Sequence, residues 1–180
     1  DSSVTGVQTC DLPICIALLA VVVYANGVFG SFGESLRRVG FSLVTLATTS
    51  GFTTIDYSGW PLFAPMWMLF LSCVASCTGS TGGGIKVFRA LVLIKQSFRE
   101  MFVLVHPQAV SPLKIAGSVI QNRVVYSVLA FIFIYFMSIV VLTFALLASN
   151  LDFISAFSAI VSSINNTGPG LGVVGPTHTY

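Results

Sequence analysis

The sequence predicts an all-α membrane protein, built from transmembrane spans and from helices that enter the bilayer without crossing it. Three observations carry this. The 180-residue chain is 55% apolar and only 8% charged, with a mean hydropathy of +0.93, whereas a soluble domain needs more charge on the surface it turns to water. No charged residue lies between Tyr57 and Ile85, or between Val124 and Leu151; each run exceeds the roughly 20 apolar helical residues that cross about 30 Å of hydrocarbon. Two further apolar segments are too short to cross and return as two helices, and each ends in a polar strip centred on glycine.

Residues 1–15 are set aside as a non-native leader. "VTGVQTCDLPI" (Val4 to Ile14) resembles a translated sequencing-adapter sequence, and the rival reading, a secretory signal, lacks basic residues, since Asp1 and Asp11 are its only charges. Of the cysteines outside this leader, Cys73 and Cys77 stand four apart in an apolar run and read as small packing residues rather than metal ligands.

Three spans follow: Ile16 to about Gly30 running outward, Pro61 to about Ile94 inward, and about Ser118 to Ala148 outward. Their orientation comes from charge. Six of the eight Lys and Arg residues (Lys86, Arg89, Lys95, Arg99, Lys114 and Arg123) fall in one connection, where Glu100 is the only acid. The positive-inside rule puts that connection in the cytoplasm. The basic residues are too sparse for a nucleic-acid surface, and Lys86 and Arg89 read as anchors of a helix at the inner interface. Arg37 and Arg38 then lie outside, in a short segment with Glu34.

The remaining segments lie on the outer side. They are "SFGESLRRVGFSLVTLATTSGFTTIDYSGWP" and "SNLDFISAFSAIVSSINNTGPGLGVVGP". Each opens with a helix-start signal: Ser31 with Glu34 three residues on forms a capping box, and Ser149 or Asn150 precedes Asp152 in a first turn. Each carries about four helical turns, halts at "TTSGFTT" or "NNTGPGLG", and reaches a proline, Pro61 or Pro176. Phe41-Ser42 before Gly51 and Phe157-Ser158 before Gly168 mark a weak internal repeat. Irregular backbone survives within a membrane only where protein buries it or water reaches it, so a helix that dives in and ends in a glycine strip implies a pore at that end.

Such a strip suits a dehydrated cation. Potassium filters replace the ion's water with backbone carbonyls, and glycine tolerates the dihedrals that this requires. Thr49-Ser50-Gly51-Phe52 has the Thr-x-Gly-aromatic order of the TVGYG filter. The C-terminal end of the entering helix, with about half a negative charge, adds to the attraction.

A second glycine cluster interrupts the inward span at "CTGSTGGGIKVFR". Pro61 to Ser76 covers about 24 Å, so the break falls deep in the membrane. Each glycine costs about 1 kcal/mol relative to alanine within a helix, which favours an unwound loop. A packing kink is the alternative. The resemblance of "GSTGGGIK" to a phosphate-binding loop fails because Ile85 stands where lysine is needed. Gly79 and Gly83 fit GxxxG, but the extra glycines oppose an intact dimerising helix. The GxGxxG at Gly170, Gly172 and Gly175 follows a helix rather than a strand, and the glycosylation signal at Asn165 would lie inside the pore. An enzyme finds no support: His106 and His178 sit in polar loops, and Asp56 and Asp152 near the outer ends of their segments.

"TTSGFTTIDYSGWP", "CTGSTGGGIKVFR", "HPQAV" and "DFISAFSAIVSSINNTGPGLGVVGP", in this order, resemble the Trk/Ktr/HKT superfamily of potassium transporters, and within it the bacterial TrkH-type membrane subunits. The resemblance covers about Ile16 to Pro176. It implies a potassium-channel-like fold of four span–pore-helix–span repeats, of which this sequence is similar to the third (16–110, with filter 49–54 and a helix broken at 78–84) and most of the fourth (111–180, with filter 165–172 but without its last span). It further implies that the main-chain carbonyls of Thr49, Ser50, Gly51, Asn166, Thr167 and Gly168 bind K⁺. Thr78, Gly79, Ser80, Thr81, Gly82, Gly83 and Gly84 would form a gate beneath the filter, the hydroxyls of Ser80 and Thr81 satisfying freed backbone groups. The expected setting is the bacterial inner membrane, as a multi-pass subunit that pairs as a homodimer and meets a cytosolic ring of nucleotide-binding regulatory subunits. K⁺ is cargo and no cofactor is implied. A sodium/potassium secondary carrier with discontinuous helices is the alternative; two strips on one side of the membrane favour a channel-like path over it.

Overall fold

A computed structural model describes residues 2–57, 59–74, 76, 83–106, 114–115 and 118–175. Among these described residues lie six α-helices: α1 (Ser2–Ala25), α2 (Phe32–Ala47), α3 (Phe63–Val74), α4 (Val87–Val105), α5 (Asn122–Leu147) and α6 (Phe153–Asn165). A two-residue antiparallel pair, β1 (Lys114–Ile115) with β2 (Ser118–Val119), lies between α4 and α5. A single 3₁₀ turn, Gly172–Val174, follows α6.

The helices pair as the repeat pattern predicts, a long helix followed by a short one that packs back on it. α1 lies on α2 and α5 on α6, while α3 touches both α2 and α6 and so joins the two pairs. Small residues let α1 and α2 approach closely. Ser35 Oγ donates to the Ala20 carbonyl across 2.9 Å, and Leu19, Ala20 and Val23 are buried, as are Val39 and Leu43. On the other side Val125, Val128, Ile132, Tyr135 and Ile139 form the buried stripe of α5. The opposite face of α5 is equally apolar yet exposed, with Phe133, Ile134, Phe136, Val140, Val141 and Phe144 uncovered. A helix that is apolar on all sides belongs in lipid or in a larger core. Among the described residues, α5 is the one helix long and apolar enough to cross a membrane.

Several boundaries differ from expectation. The first span ends at Ala25 rather than near Gly30, because Gly27 at φ +71° turns the chain towards α2, and its helix extends back to Ser2, through the segment read as a leader. The third span begins at Asn122, after the β pair that takes Ser118 and Val119. Ser31 caps α2 through the Glu34 N–H, but the box is half formed: the Glu34 carboxylate turns to Arg38, 2.6 Å away. Arg38 also lies over the Phe29 ring. The α6 cap is Asp152 itself, accepting from the Ser155 N–H at 3.2 Å, and not Ser149 or Asn150. Asn150 adopts φ +63°, a left-handed conformation that asparagine tolerates just past a helix, and so closes α5 instead of opening α6.

Candidate functional site

Two strips emerge from the C-terminal ends of α2 and α6, and they are built alike. In the first, Thr49 N–H donates to Leu46 O, and Ser50 N–H reaches back five residues to Thr45 O at 3.0 Å. In the second, Asn166 N–H donates to Ser163 O, and Thr167 N–H reaches back five residues to Ser162 O at 2.9 Å. The side chains repeat the plan: Ser50 Oγ donates to Thr45 O at 3.2 Å and Thr167 Oγ1 to Ser162 O at 3.1 Å. The last carbonyls of each helix are therefore satisfied by the strip's own N–H and hydroxyl groups. This pattern sets the internal repeat one residue away from the Phe-Ser match seen in the sequence, since Ser42 then faces Ala159 in register rather than Ser158.

Backbone handedness repeats too. Thr49 has φ +55° and Gly51 φ +73°; Asn166 has φ +56° and Gly168 φ +94°. The intervening Ser50 and Thr167 are not among the positive-φ residues. In an ordinary extended strand successive carbonyls face opposite sides; alternating the sign of φ removes that constraint. The two strips meet at their glycines. Gly168 lies against Gly51 Cα, which would be 3.9 Å from a Cβ placed on Gly168, and a Cβ on Gly51 would stand 2.9 Å from the Thr167 carbonyl oxygen. Ser50, Asn166 and Gly168 remain exposed, while Thr167 is buried.

Beneath the second strip lies the root of the glycine-rich loop. Of its expected residues, Thr78 to Gly82 fall outside the described part of the chain, and Gly83 and Gly84 fall within it. Both are wedged against backbone. A Cβ on Gly83 would lie 2.6 Å from Ile164 O, and one on Gly84 2.5 Å from Cys73 O and 2.7 Å from Asn165 Oδ1. Ile85 N–H donates to Cys73 O at 2.8 Å, Val87 N–H to Ser76 O at 3.3 Å, and Ser76 Oγ to Gly83 O at 2.9 Å. The Cys73 carbonyl near the end of α3 and the Ser76 carbonyl just beyond it thus meet donors from the lead-in and first residue of α4. The described residues on either side of the glycine-rich segment are tied to each other by these backbone bonds. Lys86, at φ +64° and ψ 144°, occupies a region nearly reserved for glycine, at a cost of about 1–3 kcal/mol that the flanking bonds must hold. Arg89, one turn on, places its guanidinium 4.0 Å from the centre of the Phe131 ring on α5, which anchors α4 more specifically than charge alone.

Sequence reasoning missed the residues that tie these parts together. Asn165, fully buried at the last turn of α6, accepts from the Tyr135 hydroxyl at 2.9 Å and donates to Cys73 Sγ at 3.2 Å. Cys73 is accordingly a packing residue with a polar duty. Tyr57, buried beyond the first strip, donates to the Gly170 carbonyl at 3.1 Å. Burial, and secondly the neighbouring Asp56 carboxylate, raise the Tyr57 phenol above its ordinary value, so it stays a donor. Ser155 and Ser158 receive the N–H groups of Val173 and Leu171 at 3.0 and 2.9 Å. Their spacing with Ser162, along one helical face, was a signal available in the sequence.

Paired long and re-entrant helices, with glycine strips meeting where the short helices end, define a membrane protein of the span–pore-helix–span class. The TrkH family model, described as cation transport protein, matches residues 3–179. The chain belongs to the TrkH family. It is 43% identical over 161 residues to the Trk system potassium uptake protein TrkH of Vibrio parahaemolyticus, covering 89% of this chain and 32% of that protein. Against the protein of the same name from Escherichia coli K12 it is 39% identical over 174 residues, covering 97% of this chain and 35% of the relative. The crystal structure of the potassium transporter TrkH from Vibrio parahaemolyticus superimposes with a TM-score of 0.84 at 39% identity, over 96% of this chain and 37% of that one. The chain therefore spans about a third of the length of these relatives.

Proposed function

We propose that this chain forms part of a potassium-uptake subunit, and that K⁺ passes along the carbonyls of Thr49, Ser50 and Gly51 and of Asn166, Thr167 and Gly168. The observation that carries this reading is the meeting of two identically bonded strips at Gly51 and Gly168. The N–H groups of Thr49, Ser50, Asn166 and Thr167 are engaged with the parent helices, and the negative ends of two helix dipoles lie behind the strips, an environment for a cation. Two strips surround half a path, so the remaining carbonyls come from outside these residues. The loop at Thr78 to Gly84 is the gate in this reading, supported by the packing of Gly83 and Gly84 directly beneath α6. The relatives' names support a bacterial potassium-uptake system. By the same resemblance the setting is the bacterial inner membrane, with a homodimeric subunit and a cytosolic nucleotide-binding ring as partner.

The test is to graft this chain into the matching third of the Vibrio parahaemolyticus relative and measure K⁺ uptake in bacteria lacking their own potassium uptake. Gly51→Ala should abolish uptake, because φ +73° and the Thr167 carbonyl both oppose a Cβ. Gly168→Ala, opposed mainly by φ +94°, should lower it less. Uptake unchanged by both substitutions refutes the assignment of these strips to the ion path.

A further inference from the structure

The strips come from separate repeats and touch at Gly51 and Gly168 without a covalent link, so something must set their distance. Gly51 offers no side chain for this, and a van der Waals contact between glycines resists compression but not separation. Beyond the contact, however, the chain is latched. Tyr57, six residues after Gly51, donates its hydroxyl to the carbonyl of Gly170, two residues after Gly168, at 3.1 Å. Tyr57 is only 3% exposed, and its ring packs edge-on against Trp60, with centroids 6.3 Å apart, while Trp60 packs edge-on against Phe29. The Trp60 N–H closes a turn on the Tyr57 carbonyl at 3.1 Å. The donor is thus held in place from its own repeat.

The acceptor is held equally well from the other repeat. Gly170 N–H donates to Val174 O at 2.9 Å, and Leu171 N–H donates to Ser158 Oγ. The Ser158 hydroxyl lies within reach of the Ser155 and Leu171 carbonyls, and Val173 N–H donates to Ser155 Oγ. A side chain at Gly170 would collide with Val174. Gly170 O therefore has little freedom to follow Tyr57 if the strips move apart.

We infer that Tyr57 is a positioning residue for ion discrimination: its bond to Gly170, backed by Ser158, fixes how far apart the two strips stand. The inference rests on the strips being the ion path. Removing the strut should leave a path that still passes K⁺ but separates ions of different radius less sharply, because spacing and rigidity of the carbonyls decide which bare ion is well coordinated.

Tyr57→Phe keeps the ring and removes the donor. In the graft described above, with uptake counted per copy in the membrane, the Na⁺-to-K⁺ and Rb⁺-to-K⁺ uptake ratios should shift by about threefold to tenfold, the range that one ordinary hydrogen bond commands. Most K⁺ uptake should persist. Ser158→Ala, which frees the acceptor side, should shift the ratios in the same direction. Unchanged ratios in both variants overturn the inference, including the case in which membrane abundance falls, since a purely structural role would lower copies without altering discrimination. Gly51→Ala separates the two ideas: if it blocks uptake while Tyr57→Phe and Ser158→Ala leave the ratios alone, the strut fails and the ion path stands, whereas uptake indifferent to Gly51→Ala and Gly168→Ala removes the path itself.

Discussion

The Tyr135 hydroxyl donates to Asn165 Oδ1 across 2.9 Å, with both residues buried between α5 and α6. The amide nitrogen of Asn165 in turn donates to Cys73 Sγ on α3, and Gly84 is packed against Oδ1. One side chain thereby touches the long helix α5, the end of α3 and the root of the glycine-rich loop, one residue before the backbone turns left-handed at Asn166.

Asn165→Ala should destabilise the protein by about 1–3 kcal/mol, because it leaves the Tyr135 hydroxyl buried without this acceptor. Tyr135→Phe should cost about 0.5–1.5 kcal/mol, since the amide retains Cys73. The double variant should lose less than the two combined, as residues sharing one bond are not independent. Thermal unfolding of the grafted protein in detergent gives all three values; strict additivity means that the bond contributes nothing.

Gly84 and Gly27 both have positive φ, +85° and +71°, but only Gly84 is crowded. Gly27→Ala should cost only the left-handed conformation, about 1–2 kcal/mol, with K⁺ uptake kept. Gly84→Ala adds collisions with Cys73 O and Asn165 Oδ1, and should lose more stability and alter flux. Equal melting temperatures for the two variants contradict the wedged geometry at the loop root.

Asp152 supplies a pH dependence. Its hydrogen bond from Ser155 holds the carboxyl below its ordinary value. Because the folded value is the lower one, the cap contributes stability above the unfolded carboxylate pKa and loses it as pH falls through the folded value. Acidification should therefore loosen the start of α6 only in the strongly acid range. Asp152→Asn keeps a capping oxygen without the titration, so the protection of the Ser155 amide, taken relative to intrinsic exchange at each pH, should no longer fall in acid; an unchanged fall assigns the effect elsewhere.

The layout of long and short helices was legible because each element carries its own apolar pattern, and α1, α2 and α6 are each followed by a glycine within a few residues. Gly51 and Gly168 stood out for the same reason, since a strip between an apolar helix and a proline is a local pattern. What stayed hidden depends on partners far apart in the chain. Nothing near Asn165 announces Tyr135 or Cys73, and Tyr57 looks like any loop aromatic until Gly170 O is beside it. The sequence places Asp152 in the first turn after Ser149 or Asn150 because Asn150 suits either helix; its φ of +63° gives Asn150 to the end of α5, and Asp152 becomes the cap.

Ile85 takes the Cys73 carbonyl that an uninterrupted helix would offer to the residue four places on. The beginning of α4 is consequently docked on the end of α3 by a bond that does not count the amino acids in between. The approach of Arg89 to Phe131 therefore depends on how the two helix ends dock rather than on the length of chain that joins them.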